Sequence, residues 1–172
     1  KTFMNWAVER KYTSSLDFKH FKSIRQPDSL KVIITDEELR RIEELHLKQG
    51  SYLFNARELF VLSCNTGLRF SDYSRVSKQH LKSEGDGKFS LLIRQQKTDE
   101  DIDLPLTARA TQIVKGLIDG SMKANSNQKM NKYVKEVCMR AEVDEPFEVF
   151  TYIGKKKSKE VKPKYELVST HT

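Results

Sequence analysis

Long apolar runs are missing from this sequence. None is long enough to cross a membrane as a helix. Cysteine is scarce: Cys64 and Cys138 lie far apart and show no metal-ligand spacing. They read as reduced core thiols of a cytosolic protein. No signal peptide is recognisable, and the first residue is Lys1, not Met, so the stretch is expected to be excised from something longer. No aromatic-rich strand of the RNP type is present, which argues against an RNA-binding basic domain.

What is present is enough apolar material for a core and an excess of positive charge. Hydrophobic residues make up 37% of 172, which suits one domain with part of a second. Formal net charge is +7, with a sequence pI of about 9.3. That balance favours an anionic partner.

The chain is organised around Asn65-Thr66-Gly67-Leu68-Arg69-Phe70-Ser71-Asp72-Tyr73, which closes an apolar helical run from Tyr52 to Cys64. Gly67 stands where a helix end takes positive φ. Ser71 and Asp72 follow as expected caps of the next short turn. Arg69 is thereby held at a helix–helix junction. Its guanidinium either satisfies nearby helix carbonyls or offers a rigid fork to a phosphate.

On the amino-terminal side, 1–12 reads as a helix with Phe3, Trp6, Ala7 and Arg10 on one face, and Trp6 is expected in a core. A basic linker through Lys31 follows, in which His20 lacks metal-ligand companions. Thr35-Asp36-Glu37-Glu38 is a capping box opening a helix with Leu39, Ile42, Leu45 and His46 on one side. The next helix, through Cys64, is apolar nearly all round, so its Arg57 and Glu58 need partners or an exposed edge.

On the carboxyl-terminal side, Glu84-Gly85-Asp86-Gly87 is turn chemistry. Phe89–Arg94 and Asp101–Leu106 read as a β-hairpin with Lys97 near a mobile tip. Thr107 caps a helix closed by Gly120, and Ser126 or Asn127 opens another. Phe147–Ile153 reads as a strand, and Lys155, Lys156, Lys157 and Lys159 form a basic turn, followed by Lys162 and Lys164. Such a run is either a solvated loop or a track along a DNA backbone.

Thr66-Gly67-Leu68-Arg69-Phe70-Ser71-Asp72 resembles the first arginine box of the tyrosine recombinases, the phage-integrase family. Lys97-Thr98 with Leu104-Pro105-Leu106 resembles that family's catalytic-lysine hairpin. Ile34-Thr35-Asp36-Glu37-Glu38 resembles the usual start of its catalytic domain, and Val168-Ser169-Thr170-His171-Thr172 the opening of its His-x-x-Arg box. The resemblance implies that 1–30 is the tail of an amino-terminal core-binding domain plus linker, and that 31–172 is a partial catalytic domain, truncated at its carboxyl end. The fold it implies is mainly α with a small antiparallel sheet.

It also implies catalytic roles for Arg69, Lys97 and His171, with Asp72 supporting the arginine. The second arginine and the nucleophilic tyrosine would follow Thr172, so the stretch itself is expected to be inactive. No metal or other cofactor is expected, because arginine and histidine neutralise the phosphate. The expected partner is double-stranded DNA, bound by a tetramer of the complete recombinase on paired sites. No membrane association is expected, and the expected location is the bacterial cytoplasm, at the nucleoid. A non-catalytic DNA-binding module on the same scaffold is the alternative.

Overall fold

Ser51 and Gly67 set the limits of the helix on which everything else packs. A computed structural model describes residues 1–21, 32–153 and 156–172, without the side chains of 151–153, 156 and 157. The chain divides into two compact units, Lys1–Leu30 and Lys31–Thr172. In the first unit, helix α1 (Thr2–Glu9) is followed by a 3₁₀ turn at Asp17–His20. Trp6 is 44% exposed, which corrects its expected place in a core. It stacks on Phe3 at 5.7 Å and on Tyr12 at 5.4 Å instead.

The second unit begins with α2 (Asp36–Glu44), opened by the full capping box: Thr35 Oγ1 accepts from Glu38 N, and Glu38 Oε2 accepts from Thr35 N at 2.7 Å. The central α3 (Tyr52–Thr66) follows. Ser51 Oγ accepts from Phe54 N at its start, and Gly67, at φ 68°, ends it in the left-handed conformation that a glycine adopts without a Cβ penalty. Leu53, Ala56, Leu59, Phe60, Val61 and Leu62 are all buried, as an apolar circumference requires.

A one-turn helix, α4 (Phe70–Tyr73), leads to a three-stranded antiparallel sheet: β1 (Leu81–Gly85), β2 (Lys88–Arg94) and β3 (Asp101–Leu106), in that order. Leu91 and Ile93 of β2 point into the core and pair with Leu104 and Ile102, while Leu92 between them is half exposed. The edge strand β1 was not expected from sequence. Leu-Lys-Ser-Glu lacks β-branched and aromatic residues, so pairing with β2 decides its conformation. The turn shrinks to Asp86 and Gly87, at φ 48° and 73°, the backbone of a tight hairpin.

Helices α5 (Ala108–Asp119) and α6 (Asn127–Arg140) pack on α3, with N-caps Thr107 and Ser126. Cys138 is buried on α6, and burial pushes its thiol up to about 12. Cys64 is exposed, which corrects its expected place in the core. Last come β4 (Pro146–Ile153) and β5 (Lys156–Pro163), an antiparallel ribbon. The expected basic turn is therefore mostly strand. Backbone pairing with the apolar β4 overrides the low strand preference of lysine.

Lys164 is a further correction. It is buried, and its Nζ lies 2.8 and 2.7 Å from the two carboxylate oxygens of Glu38. Burial pushes the Glu38 carboxyl up, but hydrogen bonds from Lys164 and Thr35 outweigh it and hold the carboxyl below its usual range. A depressed folded-state pKa stabilises the fold above the ordinary carboxylate pKa and loses that contribution as pH falls through the folded value. Lys164→Met should cost roughly 3–5 kcal/mol near neutral pH, because it strands a buried carboxylate. Glu38→Gln with Lys164→Met should recover much of that loss, since glutamine still closes the capping box. Denaturant titrations of the unsubstituted chain and the two variants check this, and equal stabilities for the single and double variants would refute it.

Candidate functional site

The left-handed turn at Gly67 throws the chain off α3, and Arg69 becomes the N-cap of α4 in extended conformation, φ −75° and ψ 158°. Its carbonyl accepts from Asp72 N at 2.9 Å and from Tyr73 N at 3.1 Å. Ser71 and Asp72 lie inside the turn and do not cap it, which corrects their expected role. The Arg69 guanidinium is part-buried. Its Nη1 is fully shielded and, among the described residues, has no hydrogen-bond partner. It does not satisfy helix carbonyls.

Asp72 is completely buried. Its Oδ1 accepts from the backbone N–H of Gln96 at 3.0 Å, twenty-four residues on, and from Arg75 Nη2 at 3.2 Å. The carboxylate of the arginine box thus holds the first part of the turn that carries Lys97. Within that turn Gln95 N donates to Glu100 O at 2.8 Å, and Asp99 N donates to Gln95 O at 3.0 Å. Thr98 Oγ1 donates to Gln95 Oε1 at 2.8 Å. Asp99, at φ 59°, takes two hydrogen bonds from the Arg94 guanidinium, at 2.7 and 3.0 Å. The tip, expected to be mobile, carries these bonds across its backbone, which its composition does not reveal. Lys97 is exposed, and among the described residues its ammonium has no partner. Asp99, two residues on, is engaged by Arg94.

His171 is exposed on the closing turn. There Ser169 N donates to Thr172 Oγ1 at 2.8 Å, and Thr172 N donates back to Ser169 O at 3.1 Å. Val168 is in the core, and Thr170 is fastened to α6: its N–H donates to Asn131 Oδ1 at 2.9 Å and its hydroxyl to Asn127 Oδ1 at 3.1 Å. Sequence reasoning missed these two asparagines. Their i, i+4 spacing puts them on one helix face and is the signal available. Among the described residues, no hydrogen bond or ion pair joins Arg69, Lys97 and His171 to one another. The structure joins the arginine box to the lysine turn through Asp72 and fixes the histidine segment separately.

Of the basic run, Lys155 lies outside the described residues, as do the side chains of Lys156 and Lys157. Lys159 is paired with Glu148 across the ribbon at 2.5 Å. Among the described residues no group of His, Cys, Asp and Glu side chains could hold a metal ion, and no helix is long and apolar enough to cross a membrane.

The backbone arrangement matches a solved structure, the integrase from mycobacterium phage Brujita, with a TM-score of 0.50 at 13% sequence identity. The match covers 81% of this chain and 48% of that one. The chain therefore shares the fold of that part of the integrase, helices around α3 with a small antiparallel sheet. The XerH site-specific recombinase bound to its difH substrate aligns with a TM-score of 0.48 at 14% identity, over 90% of this chain and 46% of that one. The chain spans about half the length of both solved chains. No protein-family model matches the sequence, and neither does any curated protein.

Arg69 and Asp72 should separate by stability. Asp72→Ala removes an ionised acceptor and leaves the Gln96 N–H unpaired, which should cost about 1.5–3 kcal/mol. Arg69→Ala removes no hydrogen bond and should cost under about 1 kcal/mol. Chemical denaturation of both variants gives the comparison. A loss for Arg69→Ala as large as that for Asp72→Ala would mean that Arg69 is a structural residue.

Proposed function

We propose that this chain is the opening part of the catalytic domain of a site-specific DNA recombinase, preceded at 1–30 by the tail of a core-binding domain. The observation that carries the reading is Arg69. Its guanidinium is backbone-fixed and part-buried and makes no hydrogen bond among the described residues, and the residue is the N-cap of the short helix whose Asp72 carboxylate holds the Lys97 turn. A cation kept without a partner in a shielded place is suited to a ligand anion.

The proposed reaction is strand cleavage by a tyrosine whose oxygen attacks a DNA phosphorus. The bond to the 5′-oxygen breaks, leaving a 3′-phosphotyrosyl link and a 5′-hydroxyl. Arg69 opposes the charge that builds on the non-bridging oxygens. Lys97 gives its proton to the departing 5′-oxygen. His171 hydrogen-bonds the phosphate or handles the proton of the tyrosine. The nucleophile and a second arginine are assigned to residues following Thr172 in the complete protein. The tyrosines described here support that assignment. Tyr73 is buried and its hydroxyl is pushed well above the ordinary range by burial, while the Tyr133 ring lies tilted against Tyr52 with centres 4.6 Å apart.

In the complete recombinase, Lys97→Ala should slow cleavage by roughly 10²–10⁴, the usual worth of a positioned general acid. Replacing the bridging 5′-oxygen by sulfur should restore most of that rate, since a thiolate departs without a proton. Arg69→Ala should gain nothing from sulfur, because its charge acts on other oxygens. Equal rescue of both variants, or of neither, would remove Lys97 from the role of acid.

The chain by itself should bind duplex DNA weakly, at about 10⁻⁴–10⁻⁶ M, with little sequence preference and a steep loss as salt rises. It should form no covalent adduct with a nicked suicide substrate on a denaturing gel. Replacing Lys155, Lys156, Lys157 and Lys159 by alanine should flatten the salt dependence. An adduct through one of the tyrosines present would move the nucleophile into this chain, and unchanged binding by the lysine variant would make the ribbon a solvated element.

A further inference from the structure

Arg75 lies outside the residues assigned above, yet it closes the connection between the arginine box and the lysine turn. One of its nitrogens, Nη2, serves two acceptors: the Asp72 carboxylate at 3.2 Å and the backbone carbonyl of Arg94, the last residue of β2. Asp72 is completely buried, whereas the Arg75 side chain is 43% exposed. Among the described residues Arg75 is the one cation paired with that carboxylate. An exposed ion pair is worth little, but a carboxylate without water needs its counter-charge. The same carboxylate oxygen holds Gln96 N at 3.0 Å. Arg75 therefore grips the strand two residues before the point that Asp72 grips, and Lys97 follows at once.

We infer that Arg75 is a positioning residue for Lys97. It neutralises Asp72 and fastens the end of β2, so that the backbone from Arg94 to Gln96 is set before DNA arrives. The inference rests on the proposed recombinase function and extends it to a residue that touches neither phosphate nor nucleophile. The geometry has a direct consequence. The Lys97 ammonium reaches its target by rotation of its own side chain, from a backbone that does not have to fold first. Without Arg75, Asp72 keeps its carboxylate in a dry site with no cation, and the carbonyl of Arg94 loses a donor. The turn then samples other arrangements, and the general acid spends less time where it is needed. A misplacement of about 1 Å costs on the order of 10²-fold in rate.

Two measurements on Arg75→Ala test this. In this chain, amide exchange at Gln96 and Lys97 should be faster than in the unsubstituted chain, while exchange within α3 is unchanged. In the complete recombinase, cleavage of ordinary DNA should fall about 10- to 10²-fold. On the substrate with a bridging 5′-sulfur, the variant should cleave as fast as the unsubstituted recombinase. Arg75→Ala combined with Lys97→Ala should be no slower than Lys97→Ala alone, because both act on one step. Unaltered exchange at Gln96 would overturn the brace. A rate loss that sulfur does not restore would give Arg75 a structural role unrelated to the departing oxygen. If the unsubstituted recombinase cleaves neither substrate, the recombinase reading fails. The exchange measurement then still decides whether Arg75 holds the turn.

Discussion

Burying α3 on every side is the constraint that the rest of the second unit meets. The helix carries two adjacent charges, Arg57 and Glu58, into a region without water. Glu58 is fully buried and takes hydrogen bonds from Arg57 Nε at 2.9 Å and from Arg109 on α5 at 2.6 Å. Arg57 also donates to the carbonyls of Glu43 and Leu45 where α2 ends, and its guanidinium lies 5.0 Å from the Phe54 ring centre. One charged pair therefore fastens the ends of two neighbouring helices to α3. Removing one member of such a pair costs roughly 3–5 kcal/mol. The surface pairs of Arg40 with Glu37 and Glu44 stand in solvent, which screens them, and contribute little. The buried charges, not the more numerous surface pairs, fix how α2, α3 and α5 meet.

That comparison also bears on Arg69. Unpaired buried atoms are not special to it: Glu58 Oε2, Asn55 Oδ1, Arg41 Nε and Asp72 Oδ2 share the condition. Each of those side chains except Asn55 has another polar atom in a hydrogen bond or an ion pair, as Arg41 does with the carbonyls of Ala141 and Glu142. Among the described residues, Arg69 has none for any part of its guanidinium. A planar cation with five donors, set by a left-handed turn on one side and a helical turn on the other, carries an unused capacity that a phosphate would fill.

How far the sequence could be read follows from which interactions are local. The caps at Thr35, Thr107 and Ser126 and the stops at Gly67 and Gly120 act within four residues and were legible; the equally local cap at Ser51 went unread. The alternation in Phe89–Arg94 was legible for the same reason. Strands β1 and β5 were not, because their conformation comes from a partner strand and not from their own side chains. Lys164 looked like one more solvated lysine because Glu38 lies one hundred and twenty-six residues away. The candidate residues Arg69 and Lys97 could be named from short motifs. The backbone bond from Gln96 to Asp72 that links them could not, since a backbone N–H leaves no mark in a sequence.

The ribbon shows the same distinction between naming residues and knowing their state. Two of its described lysines are not free cations waiting for an anion: Lys159 faces Glu148, and Lys162 lies 3.2 Å from Glu160. Both pairs are substantially exposed, so each contributes under about 1 kcal/mol and weakens further as salt rises. A phosphate approaching the ribbon competes with a carboxylate that is cheaply displaced. Counterion release from the duplex favours the exchange, while the acidic partners repel the same phosphates. An ion pair on the ribbon thus tempers affinity for DNA without abolishing it. Its strength would then be set by how many lysines exceed their acidic neighbours along β5, and not by the lysine count alone.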